Sequence, residues 1–117
     1  MKTITLGSTG ITTVQNAFGA LPIQRISTQE AVHLLRKAYD GGMTFFDTAR
    51  AYSDSEKKMG AAFDGMREKI FIASKTMAQT PEDFWAQLHT SLRNLRTDYI
   101  EAFSFQPLAY CFQLFSL

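Results

Sequence analysis

Residues 45–60, FFDTARAYSDSEKKMG, decide the fold because they contain one complete passage from a strand to a helix. The run MTFFD, which leads into this stretch, does not alternate apolar and polar side chains, as is typical of a strand buried on both faces in a parallel sheet. The strand ends at Asp47, a loop with Tyr52 follows, and a helix is predicted from about Ser53, with Glu56 at capping-box spacing. The stretch therefore predicts a strand, a loop and a helix, with Asp47 and Tyr52 close together where the strand ends.

Two further segments show the period of an amphipathic helix. The segment RISTQEAVHLLRKAYDGG, residues 25–42, has a Ser27 and Glu30 capping box and a glycine pair as its stop. The segment TPEDFWAQLHTSLRNLR, residues 80–96, has a threonine cap followed by proline at the first helical position. The apolar face consists of Ala31, Leu34, Leu35 and Ala38 in the former helix and of Phe84, Leu88, Leu92 and Leu95 in the latter. Trp85 is interpreted separately as a packing residue.

Short apolar runs alternate with these helices. They are NAFGA near residue 18, MTFFD near 45, KIFIASK near 72 and DYIEAFSF near 102. Before them, TITL and ITTV flank the turn-rich GSTG, which predicts an antiparallel hairpin over residues 3–14. Alternation of strands and helices predicts an α/β fold with parallel strands. No G-x-G-x-x-G motif is present, which weighs against a Rossmann unit and favours a (β/α) barrel.

Such a barrel closes with eight strands and takes about 250 residues, whereas the 117 residues here supply four strands and three helices. The sequence therefore predicts a partial (β/α)8 TIM barrel with an N-terminal hairpin, formed by residues 1–106. Residues 107–117 are interpreted as an apolar tail of unknown role, either a product of truncation or frameshift or an amphipathic interaction segment.

Three reactive side chains are predicted to meet at one end of this sheet. Barrel active sites lie at the carboxyl ends of the strands, where Asp47, Tyr52 and Lys75 fall. A tyrosine is a weak acid, and a nearby lysine cation stabilises its phenolate, which makes the proton easier to release. With an aspartate holding the lysine, this set would donate a proton to a carbonyl while a cofactor supplies hydride. A Schiff-base lysine of an aldolase-type barrel is the alternative role for Lys75.

These residues resemble the aldo-keto reductase family. FFDTARAYSDSEKKMG is similar to the family segment with the catalytic Asp and Tyr, IFIASKT to the strand with the catalytic Lys, and LGSTGITTV to the hairpin that closes the barrel bottom. The resemblance implies that Tyr52 is the general acid, that Lys75 activates it, and that Asp47 pairs with Lys75 near the nicotinamide ribose. It further implies that Gly19 and Ala20 lie near the nicotinamide of NADPH and that the substrates are aldehydes or ketones.

Two departures from the family pattern bear on activity. The resemblance implies a histidine at the end of the fourth strand, which orients the carbonyl, whereas this chain has Gln106, which can donate a hydrogen bond but cannot ionise. The later strands, which hold much of the cofactor in the family, have no counterpart in these residues. The alternative prediction is therefore that the chain is a truncated or frameshifted reading of a longer reductase, which departs from the reductase sequence near residues 104–106. Such a chain would be a catalytically inactive fragment or an interaction module.

The composition argues against several other classes of protein. The formal net charge is +1 and the basic residues are scattered, so no footprint for nucleic acid or an anionic membrane is visible. No apolar run reaches the roughly 18 residues of a membrane helix. Cys111 is the only cysteine, which fits a reducing cytoplasm. Neither His33 nor His89 has a partner at ligand spacing, so no metal site is predicted. The unpaired first and fourth strands predict possible self-association.

Overall fold

The computed structural model describes residues 1–106, which form a hairpin followed by a four-stranded sheet with helices between its strands. The strands are β1 (Thr3–Thr5), β2 (Thr12–Val14), β3 (Phe18–Gly19), β4 (Phe45–Asp47), β5 (Phe71–Thr76) and β6 (Ala102–Phe105). The helices are α1 (Thr28–Asp40), α2 (Ser55–Ala62) and α3 (Pro81–Leu95), and short 3-10 helices span Pro22–Arg25 and Arg67–Lys69.

The sheet topology is that of consecutive strand and helix units. Strands β1 and β2 pair antiparallel, and β3, β4, β5 and β6 pair parallel in chain order. The four parallel strands are joined by α1, α2 and α3 in turn. The predicted α/β fold, with a parallel sheet as in part of a TIM barrel, is confirmed.

The hydrophobic core lies between the helices and one face of the parallel sheet. Phe46 and Ile72, which are register partners, point into it from β4 and β5. Leu35, Met59 and Leu95 meet them from the three helices. On the opposite face, the side chains that alternate with these are only half-buried or exposed in the described part of the chain. We call this second surface of the parallel strands the inner face.

Helix α1 begins as predicted, with a reciprocal capping box. The backbone N–H of Glu30 donates to Ser27 Oγ at 3.1 Å, and the N–H of Ser27 donates to Glu30 Oε2 at 3.0 Å. The predicted core face was wrong at one position, since Leu34 is 41% exposed while Ala31 and Leu35 are buried. In the described residues α1 has a neighbouring helix, α2, on one side only, and the buried stripe is correspondingly narrow.

Helix α2 begins later than predicted, and its predicted cap was wrong. Ser53 has a left-handed backbone with φ of 51°, the helix starts at Ser55, and Asp54 at the cap position makes no side-chain capping bond. Glu56 turns inward instead of capping the helix and is 1% exposed. Its carboxylate is drawn into the core because hydroxyl, amide and guanidinium donors surround it there.

Helix α3 has the predicted cap, with Asp83 N–H donating to Thr80 Oγ1 at 3.2 Å. The interpretation of Trp85 as a packing residue of the core was wrong, because the residue is 58% exposed, although its ring contacts Phe84 edge to face. An open groove of about 360 Å³ lies here, lined by Gln79, Thr80, Pro81, Phe84, Trp85 and Phe105.

The predicted apolar tail, residues 107–117, lies outside the described residues. The prediction that the chain has no membrane helix can be examined for the described residues alone. Among residues 1–106, none of the helices has the length and apolar character needed to cross a membrane.

Candidate active site

The loop after β4 is fixed to the sheet by backbone hydrogen bonds. The N–H of Thr48 donates to Ala73 O at 2.8 Å, and the N–H of Arg50 donates to Lys75 O at 2.9 Å, so the chain continues alongside β5 after β4 has ended. The N–H of Tyr52 then donates to Ala49 O at 3.1 Å, which closes a turn. This anchoring holds Tyr52 near the end of β5, although the two segments are far apart in the sequence.

A second anchor joins this loop to the end of β3. Thr48 Oγ1 and Ser55 Oγ lie 2.9 Å apart, and the Ser55 hydroxyl donates to Ala20 O at 2.9 Å. Thr48 and Ser55 are both fully buried. These hydroxyls therefore fix both ends of the loop with satisfied, desolvated hydrogen bonds.

Lys75 is held by two acceptors. Its Nζ donates to Asp47 Oδ2 at 2.6 Å and to Thr48 O at 2.8 Å. The pair is partly shielded from water, with side-chain exposures of 24% for Lys75 and 38% for Asp47. An amine that attacks a carbonyl to form a Schiff base needs a free lone pair, whereas this arrangement presents Lys75 as a donor of N–H bonds.

Tyr52 lies beside this ion pair. The Lys75 ammonium is 5.5 Å from the centroid of the Tyr52 ring, within the range of a cation–π contact. The ring is half-buried. The structure thus brings Asp47, Tyr52 and Lys75 together at the carboxyl ends of β4 and β5, on one side of the sheet.

Gly19 and Ala20 lie at the end of the neighbouring strand. Gly19 is the register partner of Asp47, and the N–H of Ala20 donates to Asp47 O at 2.8 Å. A Cβ added to Gly19 would meet no atom within 4 Å, so the space beside Asp47 is open there. Ala20 is fully buried and packs in the core.

Gln106 lies at the corresponding end of β6. Its N–H donates to Thr76 O at 2.7 Å, which extends the pairing of β5 and β6 by one residue. Its side-chain Oε1 is buried and has no hydrogen-bond partner within residues 1–106. The ends of all four parallel strands therefore carry a residue that sequence reasoning had singled out.

Sequence reasoning missed the buried carboxylate that lies behind this site. Glu56 Oε1 accepts from Ser74 and Ser91 hydroxyls, both at 2.7 Å, and Oε2 accepts from Arg50 at 2.9 Å and Asn94 at 3.2 Å. Ser74 directly precedes Lys75 in β5, and Arg50 lies in the loop with Tyr52. Charged residues on a helix usually face water, so only contacts between elements could have indicated this role.

The arrangement has the parts of a proton donor, a cation next to a weak acid and a carboxylate that holds the cation. No group of three His, Cys, Asp or Glu side chains suited to a metal ion occurs in the described part of the chain.

Comparison with known proteins gives a consistent result. A model described as the aldo/keto reductase family matches residues 3–108. Methylglyoxal reductase YeaE of Escherichia coli (strain K12) is 38% identical over 76 residues, covering 62% of this chain and 27% of that protein. Aldo-keto reductase str7 of Strobilurus tenacellus is 32% identical over 104 residues, covering 74% of this chain and 31% of that protein.

Solved structures agree in fold. A thermostable aldo-keto reductase in complex with the inhibitor epalrestat has a TM-score of 0.81 at 30% identity, covering 88% of this chain and 42% of that one. An aldo-keto reductase from Bacillus halodurans, in its holo form, has a TM-score of 0.74 at 26% identity, covering 90% of this chain and 38% of that one. The chain spans less than a third of the length of these curated relatives and less than half of these structures.

Proposed function

The chain belongs to the aldo/keto reductase family, and we propose on that premise that its site serves the NADPH-dependent reduction of an aldehyde or ketone to an alcohol. The observation that carries the proposal is the position of Lys75 Nζ, 2.6 Å from Asp47 Oδ2 and 5.5 Å from the Tyr52 ring centroid. NADPH, when bound, supplies the hydride that reaches the carbonyl carbon.

Tyr52 is the proposed proton donor. Its hydroxyl transfers a proton to the carbonyl oxygen as negative charge develops there, and the Lys75 cation stabilises the phenolate that remains. Asp47 keeps Lys75 in place through the 2.6 Å contact, and the carbonyl of Thr48 holds a second N–H of the ammonium at 2.8 Å. Asp47 and Thr48 thus position the cation that assists Tyr52.

The residues at the end of β3 fit a cofactor lying beside Asp47. Gly19 leaves open space on the same side of the sheet, and the bond from Ala20 to Asp47 O keeps the two strand ends together. Gly19 and Asp47 would therefore hold the nicotinamide end of NADPH, while Ala20, which is fully buried, would support Gly19 from the core instead of touching the cofactor as the sequence had predicted. From the end of β6, the amide of Gln106 would donate a hydrogen bond to the substrate carbonyl.

The proposed substrates are small carbonyl compounds. Methylglyoxal is the first to test, because the named function of the Escherichia coli relative is methylglyoxal reduction. We propose the cytoplasm as the location of the protein, since its one cysteine leaves it without an internal disulfide.

The test is calorimetric titration of the purified 117-residue chain with NADPH, followed by measurement of NADPH consumption with methylglyoxal. We expect Tyr52→Phe to bind NADPH like the unmodified chain and to lose at least about 100-fold in turnover, because only the proton donor is removed. Tyr99→Phe is the matched control. Tyr99 precedes β6 at the opposite end of the sheet, where its ring stacks on Arg67, so its hydroxyl should not affect turnover.

A second candidate function is that of a non-catalytic chain that binds other chains. It is favoured by the strands β3 and β6, which each pair on one side only within the described residues. A folded sample that neither binds nor consumes NADPH would contradict the reductase proposal and leave this candidate. Equal losses in Tyr52→Phe and Tyr99→Phe would contradict the role of Tyr52.

A further inference from the structure

The loop that carries Tyr52 contains an ion pair that has no part in the proposed proton transfer. Arg50 Nη1 donates to Glu56 Oε2 at 2.9 Å, and Glu56 is 1% exposed. The Nε of Arg50 is also buried and has no hydrogen-bond partner within residues 1–106. In the part of the chain that the structure describes, the Arg50 side chain is therefore hydrogen-bonded through Glu56 alone.

Arg50 lies in the turn that presents Tyr52. The N–H of Tyr52 donates to Ala49 O at 3.1 Å, so these two residues are the ends of a four-residue turn, and Arg50 is its second residue. The backbone N–H of Arg50 donates to Lys75 O at 2.9 Å. Arg50 thus contacts the backbone of one member of the site and lies two residues before another.

The loop has few other attachments around this turn. Of residues 50–53, Arg50 is the one whose side chain makes a hydrogen bond in the described structure. Ser53 has a left-handed backbone with φ of 51°, a conformation that persists in a residue other than glycine only where its surroundings hold it. The side-chain bond of Arg50 therefore restrains the loop beside a backbone that would otherwise rearrange.

Glu56 is a fixed anchor for this bond. Its carboxylate accepts three further hydrogen bonds, from Ser74, Ser91 and Asn94. Strand β5 and helix α3 therefore hold it in place, and Ser74 directly precedes Lys75 in β5. One carboxylate is thus bound both to the turn of Tyr52 and to the strand of Lys75.

We propose, on the basis of the reductase function proposed above, that Arg50 is a positioning residue, which Glu56 anchors and which sets where the Tyr52 hydroxyl lies relative to Lys75. Groups that transfer protons in an active site must be held to within about 0.5 Å, and a displacement of about 1 Å costs about 100-fold in rate. Arg50 acts through Tyr52, without touching the substrate or NADPH.

The kinetic test compares Arg50→Ala with Asn94→Ala. Each variant removes one donor to the same oxygen, Glu56 Oε2, from a half-buried residue, but Asn94 lies in α3 and not in the loop. We expect kcat for methylglyoxal reduction to fall by a factor of about 10 or more in Arg50→Ala and of less than about 2 in Asn94→Ala, with KM and the dissociation constant of NADPH unchanged in both. Equal losses of kcat would mean that the pair only stabilises the fold, and would overturn the proposal.

A double variant separates positioning from a general effect on activity. In a chain that already carries Tyr52→Phe, adding Arg50→Ala should lower kcat by a factor of less than about 2, because the hydroxyl that Arg50 positions is no longer present. A further loss as large as that of Arg50→Ala alone would mean that Arg50 acts elsewhere than through Tyr52, and would overturn the proposal.

Nuclear magnetic resonance follows Tyr52 without any turnover. In protein labelled with 3-fluorotyrosine, the Tyr52 signal, identified by its loss in Tyr52→Phe, should lie apart from that of free fluorotyrosine in the unmodified chain and in Asn94→Ala. In Arg50→Ala it should move towards the free position while the amide signals of β5 stay in place. A Tyr52 signal that is the same in Arg50→Ala and in the unmodified chain would overturn the proposal.

Hydrogen exchange of the unmodified chain tests the same idea without a variant, and so decides it even if Arg50→Ala does not fold. The Arg50 amide, which is bonded to Lys75 O, should exchange with the same free energy as the amides of β5. Exchange through local opening of the loop would overturn the proposal. A chain that does not consume NADPH would contradict the reductase function, whereas the two resonance measurements would still show whether Arg50 holds Tyr52.

Discussion

Glu56 is a carboxylate enclosed by four donors from three parts of the chain. Oε1 accepts from the hydroxyls of Ser74 and Ser91, and Oε2 accepts from Arg50 and Asn94. With the side chain 1% exposed, these bonds replace the water that a charged carboxylate needs. Glu56 thus ties β5, α3 and the loop with Tyr52 to helix α2.

We expect Glu56→Gln to lower the free energy of unfolding by about 2 kcal/mol, because a neutral amide would replace the buried carboxylate that accepts charge-assisted bonds from Arg50, and its NH₂ group would need an acceptor where only donors now point. The measurement is urea unfolding followed by circular dichroism. Glu68→Gln, on an exposed residue, is the control and should change the value by less than about 0.5 kcal/mol. Similar losses in the two variants would show that Glu56 has no special structural role.

At the residue scale, the position of a residue along its strand predicted the members of the site better than the type of its side chain predicted burial. Asp47 and Lys75 were assigned to one site because both fall at the carboxyl ends of parallel strands, and the structure has them in contact. Glu56 and Lys58 look like solvent-facing residues of a helix in sequence, but both are buried. Lys58 Nζ donates to the carbonyls of Ile23 and Ile26, and such partners cannot be read from the spacing of charges along α2.

Helices α2 and α3 approach closely at Gly60. A Cβ at this position would lie 2.2 Å from the carbonyl oxygen of Asn94 and 3.1 Å from backbone atoms of Leu95. Both neighbours are backbone, so neither can rotate away as a side chain could. The absence of a side chain at residue 60 therefore sets the distance between the two helices.

We expect Gly60→Ala to lower the free energy of unfolding by about 2 kcal/mol. In an isolated helix the change would stabilise by up to about 1 kcal/mol, but here the clash must separate α2 from α3, and overpacking of this kind costs about 1–3 kcal/mol. Chemical unfolding of the two proteins measures the difference. Gly41→Ala is the control, because Gly41 has φ of −77° and its Cβ would come no closer than 3.4 Å to another atom. Stabilisation by Gly60→Ala would contradict the close approach.

The capping box of α1 should make part of the stability depend on pH. The hydrogen bonds from the backbone and side chain of Ser27 hold the pKa of Glu30 below its ordinary value. The stability that ionised Glu30 contributes to the fold is therefore fully present above the ordinary carboxyl pKa of about 4.3. It is lost as the pH falls through the lowered pKa. We expect the difference in melting temperature between the unmodified chain and Glu30→Gln to be constant near neutral pH and to shrink as the pH falls below about 4. A difference independent of pH would contradict this coupling.

At the scale of elements, helix caps were predicted well from the sequence, whereas the side chains that each helix buries were predicted poorly. The caps at Ser27 and Thr80 were predicted because the required side chain lies within three residues of its partner. The start of α2 was wrong because Ser53 takes a left-handed conformation, which turns the chain before the helix begins. Leu34 was assigned to the core by periodicity and Trp85 was interpreted as a packing residue from its apolar character, yet burial depends on which elements lie opposite them.

Across the described part of the molecule, stability should be distributed unevenly. Helix α2 contacts both other helices, and β4 and β5 are paired on both sides. The hairpin of β1 and β2 has only two strands, and β1 is exposed along its length. A two-stranded hairpin is marginal without further packing.

We expect native-state hydrogen exchange to follow this order. Amides of α2 and β5 should exchange only through global unfolding, whereas those of β1 and β2 should exchange through local opening with a smaller free energy. Exchange measured by nuclear magnetic resonance at increasing denaturant separates the two routes. Equal free energies for the hairpin and for β5 would show that the hairpin is part of one cooperative unit.

The whole fold was the most predictable level. Alternation of strands and helices, together with the absence of a Rossmann fingerprint, led to part of a TIM barrel, and the likeness to solved reductases confirms it. How the open edges and the inner face are covered could not be predicted, because the helical period and the strand pattern say which side chains are apolar and not what lies against them.

The exposure of Trp85 determines how this chain can be followed in solution. It is the only tryptophan, and at 58% exposure its indole ring already contacts water in the folded protein. Its emission should therefore resemble that of free indole, be open to quenching by iodide, and shift little in wavelength on denaturation. An experimenter who monitored that signal would underestimate unfolding of the sheet and would instead detect changes in the groove at the start of α3.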